Sequence, residues 1–457
     1  MAIHANRFLT VGKNDSPCTG AGNPLQFPTQ PRMGGRVVDR ARLESVFTLI
    51  GNEGSNPSPS ALFKNTESTG AMNPLDALLS GEMQRLTEAN LRRDIRVIDH
   101  ALGVHLTTGG GEIVNFSSND YLGLASHPAL AEAMAEGARR WGTGATASRL
   151  ICGTTAEHSE LEVELASAKG TEASLVFSTG VAAATGTIPA LVGRGDVVIL
   201  DKLAHACLID GTHASGAKMR VFPHNDLGKL ESHLCWARQT HPQGRILIIT
   251  ESVFSMDGDL APLGEIVELK EQHGAWLLVD EAHAIGVRGS GIQGIAGELG
   301  LVDRIEIQMG TLGKALGVSG GYIAGSRALI DFLINRARSF IFSTAPSPAV
   351  AAACRAALKI ACSGEGDRRR ETLRENVILL CSLLARPRAE SAIIPLILGT
   401  EERALAEAAR LFEDGFFVPA IRYPTVPKKT ARLRVSLSAA HSPEQIRGLA
   451  ATLRTGS

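Results

Sequence analysis

The chain has 457 residues, 44% hydrophobic and 20% charged, which is enough for two or three domains around a large buried core. A formal net charge of -1 and an aromatic content of 4% supply neither a basic surface nor base-stacking platforms, so neither nucleic acid nor an anionic membrane is expected as a partner. No apolar run approaches the roughly 20 residues that span a bilayer, and the N-terminus lacks the apolar core of a secretory signal. The seven cysteines (Cys18, Cys152, Cys207, Cys235, Cys354, Cys362 and Cys381) form no CxxC pair, so neither a disulfide framework nor a zinc site is expected. No His/Cys/Asp/Glu cluster has metal-ligand spacing, and the cytoplasm is the expected location.

Residues 1–71 read differently from the rest. The stretch from Gly51 to Ser60 is turn-forming and lacks core residues, which predicts disorder relieved at most by a short helix over 41–50. Met72 opens a segment that looks like a natural start, and translation is expected to begin there; the rival is a real targeting or linker segment. An amphipathic helix with several arginines is expected over 84–98, and another from Pro128 to about Trp141. Short strands then alternate with helices. Ser174–Phe177, Val197–Leu200, Arg245–Thr250 and Trp276–Val279 are apolar runs, and the last three end in Asp201, Glu251 and Asp280. Continuous rather than alternating hydrophobicity suits parallel strands buried on both faces. A further strand is expected over Ile305–Met309, and a helix over Pro262–His273, with Pro262 near its start and Gly274 just past its end. This is βαβ architecture, in which ligands sit at the carboxyl ends of the strands. From about residue 350, long helical patterns and a strand near Arg432–Leu437 suggest a second, smaller α+β domain.

Polar residues past the strand ends are the candidates for chemistry. Asp280-Glu281-Ala282-His283 follows a buried strand; a carboxylate there can meet a cationic ring nitrogen, and His283 can reach the same ligand. The same letters mark a class of nucleoside triphosphatase, but that reading needs an upstream phosphate loop that is lacking, while a plain strand-end cap remains the bland alternative. Lys314, in Thr311-Leu312-Gly313-Lys314, lies in a nearly uncharged stretch where a lysine can lose its proton and act as a Schiff-base amine; an exposed glycine-rich loop would look similar. Ser178-Thr179-Gly180-Val181 opens a helix after a strand and is a plausible phosphate seat or an ordinary N-cap. His205 could stack on a flat ligand, although a lone histidine is more often a surface residue.

In order, these segments resemble the α-oxoamine synthases of the fold-type I pyridoxal-phosphate superfamily. The likeness runs from about Met72 to the end and is carried by Asn115–Leu124, Ser252–Asp259, Val279–His283 and Thr311–Lys314. Two C-terminal segments, Val418–Pro427 and Thr430–His441, resemble the branch serving biotin biosynthesis, whose members join L-alanine to a pimeloyl thioester. The resemblance implies an α/β, fold-type I acyltransferase. Its large domain, 121–349, would hold a mostly parallel central sheet, preceded by a helix and strand segment over 72–120 and followed by a smaller α+β domain over 350–457. It implies pyridoxal 5′-phosphate as cofactor, on Lys314. Asp280 would pair with the pyridine nitrogen, His205 stack on the ring, and His283 and Ser255 contact its oxygen. Gly180, Val181 and Thr311 would hold the phosphate, Arg434 with Asn119 the amino-acid carboxylate, and Arg92 and Thr425 the acyl substrate. A homodimer with shared sites is implied, Ser343 and Thr344 reaching the phosphate of the other subunit. The thioester carrier is coenzyme A or an acyl carrier protein. Other α-oxoamine synthases (glycine C-acetyltransferase, 5-aminolevulinate synthase, serine palmitoyltransferase) share this chemistry. Tyr423, where the biotin branch commonly has proline, and a short segment around Arg386–Ala392 bear on acyl-chain preference rather than on the reaction.

Overall fold

A computed structural model describes residues 73–109 and 111–455; the expectations for residues 1–71 lie outside them. Three sheets organise the chain. The first strands, β1 (His100–Leu102), β2 (His105–Thr108) and β3 (Gly111–Asn115), form an antiparallel ladder. The central sheet follows: β4 (Ala173–Phe177), β5 (Val197–Asp201), β6 (Lys218–Phe222), β7 (Ile246–Glu251), β8 (Trp276–Asp280), β9 (Ile307–Thr311) and β10 (Gly321–Gly325). Its order is β4-β10-β9-β8-β7-β5-β6, and every pairing is parallel except the two made by β10. The mostly parallel α/β sheet is therefore present. The C-terminal strands are β11 (Ile393–Gly399), β12 (Phe416–Phe417), β13 (Ala420–Ile421) and β14 (Ala431–Ser436). β12 returns to pair with β3, while β11, β14 and β13 make a third, antiparallel sheet.

Alternate residues of the central strands feed two separate cores. Val198, Leu200, Leu247, Ile249 and Leu278 pack with the helices Gly180–Leu191 and Ala206–Ser215 on one face. Val197, Ile199, Ile246, Ile248, Leu277 and Val279 pack with Leu227–Thr240 and Leu263–Gln272 on the other. Each such side chain, at about 1.5–3 kcal/mol when fully buried, fixes the register, because a slip by one residue would exchange the two faces. Register in turn fixes what stands at the carboxyl edge, where β5, β7 and β8 end in Asp201, Glu251 and Asp280.

Two boundaries differ from expectation. The first helix spans Pro74–Glu88, not 84–98: Asn73 caps it through its side chain, Pro74 occupies the first turn, and Asn90 in the left-handed region (φ 56°) ends it. Arg92, Arg93 and Arg96 therefore lie past the helix, in a segment that is neither helix nor strand. β9 begins two residues later than expected, after a single 3₁₀ turn over Val302–Arg304, so that Thr311 closes the strand. The helix from Pro128 ends at Trp141, as its pattern predicts.

Candidate active site

Two carboxyls and an amine form the floor. In the parallel pairing of β7 with β8, Glu251 stands opposite Asp280, which puts both side chains on one face of the sheet edge. Asp280 is buried and its Oδ1 accepts the Ala282 N–H at 2.9 Å. Glu251 is 2% exposed; its Oε2 accepts the Ser255 N–H at 3.1 Å, while Oε1 is buried without a partner. Lys314 follows the end of β9 and points into the same space. Burial acts on all three in one sense, toward the neutral form: it raises Asp280 and Glu251 and lowers Lys314, whose charge pulls back on both acids. After burial, the Asp280 charge is the next largest influence on Glu251 and raises its hold on a proton further.

A chain of side chains leads away from the amine. Lys314 Nζ is 3.0 Å from His283 Nε2, and His283 Nδ1 is 2.6 Å from the Tyr121 hydroxyl. Desolvation, helped by Lys314 and Arg434, holds His283 well below the usual histidine range, so the ring is neutral. Arg434 already donates to the Tyr121 oxygen, at 3.3 Å. The Tyr121 hydroxyl also donates to Asn119 Oδ1 at 3.2 Å, so it ties His283 to the Arg434–Asn119 pair. The Arg434 guanidinium is itself fixed by Ser255 O (Nε, 2.7 Å), Ser436 Oγ (Nη1, 2.7 Å) and Asn119 Oδ1 (Nη2, 3.2 Å). It is a buried cation whose protein partners, among the described residues, are all neutral. Such a group is built for an incoming anion. His205 caps the helix Ala206–Ser215, its Nδ1 accepting the Cys207 N–H at 3.2 Å, and lies within electrostatic reach of Asp280 and Lys314.

A candidate phosphate seat lies beside this floor. The helix Gly180–Leu191 starts there, with Thr179 Oγ1 accepting the Ala182 N–H at 3.0 Å and the remaining first-turn N–H groups directed outward. Thr311 Oγ1 is buried and has no partner. A Cβ on Gly180 would stand 2.7 Å from the Thr311 methyl, so only glycine lets the helix start this close to the end of β9. An orphaned hydroxyl, a side-chain-free cradle and a helix N-terminus fit a phosphate. The acids and imidazoles next to it fit a flat, basic ring, so the site as a whole fits pyridoxal 5′-phosphate.

Of the residues picked from sequence, Lys314, Asp280, His205, His283, Ser255, Arg434 and Asn119 thus converge on one place, with Gly180, Val181 and Thr311 at its phosphate side. Arg92 and Thr425 are brought near each other but are exposed: Arg422 reaches the carbonyls of Asn90 and Arg92, and its own carbonyl accepts the Thr425 N–H at 3.0 Å. Arg92 is paired with Asp94 (3.1 Å), whereas neighbouring Arg93 faces the Tyr423 carbonyl. Thr344 is bridged to Ser148 at the surface, beside an exposed Phe342. Tyr121 and Glu251 were given no role from sequence. The signal for Glu251 was present, since it ends a buried parallel strand just as Asp280 does.

Comparison with known proteins agrees with this arrangement. Residues 111–453 match the family model for aminotransferase class I and II. The 8-amino-7-oxononanoate synthase of Geobacter sulfurreducens is 48% identical over 384 residues, covering 83% of this chain and 97% of that protein. Its namesake from Burkholderia mallei is 45% identical over 395 residues, covering 84% and 98%. Among solved structures, serine palmitoyltransferase of S. paucimobilis with bound PLP and myriocin superposes with a TM-score of 0.79 at 29% identity, covering 84% of this chain and 98% of that one. The 8-amino-7-oxononanoate synthase of Francisella tularensis gives 0.63 at 28%, covering 75% and 98%. With that length and identity of match, the chain belongs to the aminotransferase class I and II family, with its fold-type I architecture, and within it to the 8-amino-7-oxononanoate synthases.

Proposed function

We propose that the protein joins L-alanine to a pimeloyl thioester with release of the thiol and carbon dioxide, giving 8-amino-7-oxononanoate for biotin biosynthesis, with pyridoxal 5′-phosphate held covalently on Lys314. The observation that carries the reading is the convergence of a desolvated Lys314, an acid at Asp280 and a neutral His283 beside a phosphate cradle. When bound, the cofactor supplies an electron sink for the pair left at the amino acid's Cα.

The protein's own residues do the rest. Asp280 would hold a proton on the ring nitrogen, with buried Glu251 beside it. His205 would pack on the ring face, and His283 and Ser255 would meet its oxygen. Gly180, Val181 and Thr311 would hold the phosphate. Arg434, with Asn119, takes the α-carboxylate in a two-pronged grip and so orients the Cα–H bond. Lys314 Nζ, once free, would take the Cα proton, and burial favours its neutral form. Arg92 and Thr425 line the approach of the acyl group. A homodimer is part of the proposal, with Ser343 and Thr344 reaching the phosphate of the second subunit. It is supported by exposed Phe342 (71%) and Ile151 (79%) near that seat, and by the apolar stripe Leu75, Leu78, Leu79, Met83 and Leu86 on the first helix. Among the described residues no helix is long and apolar enough to cross a membrane, and we place the enzyme in the cytoplasm.

The fold comparison alone would favour a serine-using synthase, since the palmitoyltransferase superposes better. Fold does not choose a substrate, however, and 45–48% identity over nearly whole relatives bears on side chains. The test is a matrix of alanine, glycine and serine against acetyl, pimeloyl and palmitoyl thioesters, on coenzyme A and on acyl carrier protein. Alanine with pimeloyl is expected to give the highest kcat/KM; a preference for glycine with acetyl, or serine with palmitoyl, would overturn the substrate assignment.

A further inference from the structure

A histidine outside the floor joins the two turns that flank it. His224 follows β6, the edge strand, and its ring lies between two carboxylates: Nδ1 is 3.0 Å from Asp201 Oδ1 and Nε2 is 2.7 Å from Asp259 Oδ2. Carboxylate oxygens only accept, so contact through both ring nitrogens requires both to carry hydrogen, and His224 is an imidazolium. Its titration agrees: desolvation lowers it, but the hydrogen bonds it donates to Asp201 and Asp259, with their charges, outweigh that and push the pKa up to about 10.

The rest of the cluster is equally specific. Asp201 is 1% exposed and also accepts the N–H groups of Leu203 (2.7 Å) and Asn225 (2.9 Å). Asn225, at φ 57°, turns its amide to the Leu260 carbonyl at 3.0 Å. Phe254 meets the His224 ring edge-on, centroids 4.3 Å apart. Asp201 opens the turn that carries His205. Asp259 closes the loop that carries Ser255, held to Phe254 by a backbone bond of 3.0 Å.

We propose that His224 is a positioning residue of the cofactor site, a charged strut from Asp201 to Asp259 that sets the His205 turn and the Ser255 loop at a fixed spacing on either side of the ring. The strut rests on the assignment of the cofactor to Lys314. β6 lies at the sheet edge and contributes nothing to the floor itself, so the strut is the link by which it bears on the site.

The test uses full-length apoprotein titrated with pyridoxal 5′-phosphate and read by visible absorbance, and by visible circular dichroism, which reports how the ring is held. In His224→Ala and in Asp259→Asn the dissociation constant is expected to rise about tenfold, the effect of losing one charge-assisted bond. The dichroism per bound cofactor is expected to fall, and the double variant to be no worse than the worse single one. Asp259→Asn, at a side chain 43% exposed, keeps the test decisive should His224→Ala fail to fold. Binding within twofold of wild type with unchanged dichroism in these variants, even with a lowered melting temperature, would reduce the strut to a structural contact and overturn the proposal. Wild-type protein that forms no visible band would overturn the assignment to Lys314 and the strut with it.

Discussion

Arg434→Lys is the substitution that separates charge from geometry. Four hydrogen bonds between 2.7 and 3.3 Å fix the guanidinium plane, and all four acceptors are neutral, so its charge is not spent on the protein. Lysine keeps the charge but replaces a rigid fork by a point donor that cannot satisfy Ser255 O, Ser436 Oγ, Asn119 Oδ1 and a substrate carboxylate together. Weakening a buried, hydrogen-bonded charge pair costs about 2–5 kcal/mol; taking about 3, kcat/KM for alanine should fall about a hundredfold. Most of the loss should lie in alanine binding, read as the spectral change when alanine is titrated into cofactor-loaded enzyme. The KM for the thioester should move less than twofold. Because Arg434 Nε also holds the Ser255 carbonyl, the cofactor band before alanine is the control. An alanine dissociation constant within twofold of wild type, with that band unchanged, refutes the carboxylate grip.

Three further outcomes are expected. Lys314→Ala should abolish turnover and leave any bound cofactor removable by gel filtration; near-wild-type activity would remove the central assignment. His441 is 3% exposed and satisfied only as a neutral ring, accepting the Ser438 N–H at 2.9 Å and donating to the Asn115 carbonyl at 3.0 Å. Desolvation lowers its pKa to about 4, so the unfolded chain binds the extra proton first; stability is full above about pH 6.5 and falls by about 3 kcal/mol as pH drops toward 4. Urea midpoints at pH 6.5, 5 and 4 measure this, and His441→Gln should flatten the trend. Finally, Lys169 and Glu281 form a fully buried ion pair, with Lys169 also donating to the Gln293 carbonyl at 2.8 Å. Lys169→Ala should cost about 3–5 kcal/mol in urea unfolding, because it strands the carboxylate; a loss under about 1 kcal/mol would mean that Glu281 finds other partners.

Sequence periodicity disclosed the site's parts better than their company. Apolar runs that end in an acid identify the carboxyl edge of a parallel sheet, and Asp280 could be picked that way because its neighbours His283 and Lys314 share familiar motifs. Glu251 ends the same kind of run, but its meaning depends on strand order: only because β7 lies beside β8 do two acids share one desolvated corner with one amine. Tyr121 is similar, since its hydroxyl becomes a link only when β14 brings Arg434 and the β8 exit brings His283 to either side. The misplaced first helix shows the converse limit: arginine periodicity over 84–98 looked helical, yet local punctuation at Asn73, Pro74 and Asn90 decided the boundaries. The pairing of Glu251 with Asp280 also has a chemical consequence. Burial favours the neutral form of both carboxyls, and the Asp280 charge adds to this at Glu251, so the corner favours a proton shared between the two acids before any ligand arrives. A ring nitrogen bound against Asp280 can take that proton from within the site instead of drawing it through the protein from solvent. Proton uptake on cofactor binding, measured calorimetrically in buffers of different ionisation enthalpy, should therefore be smaller in wild type than in Glu251→Gln, and equal uptake in the two would refute the sharing.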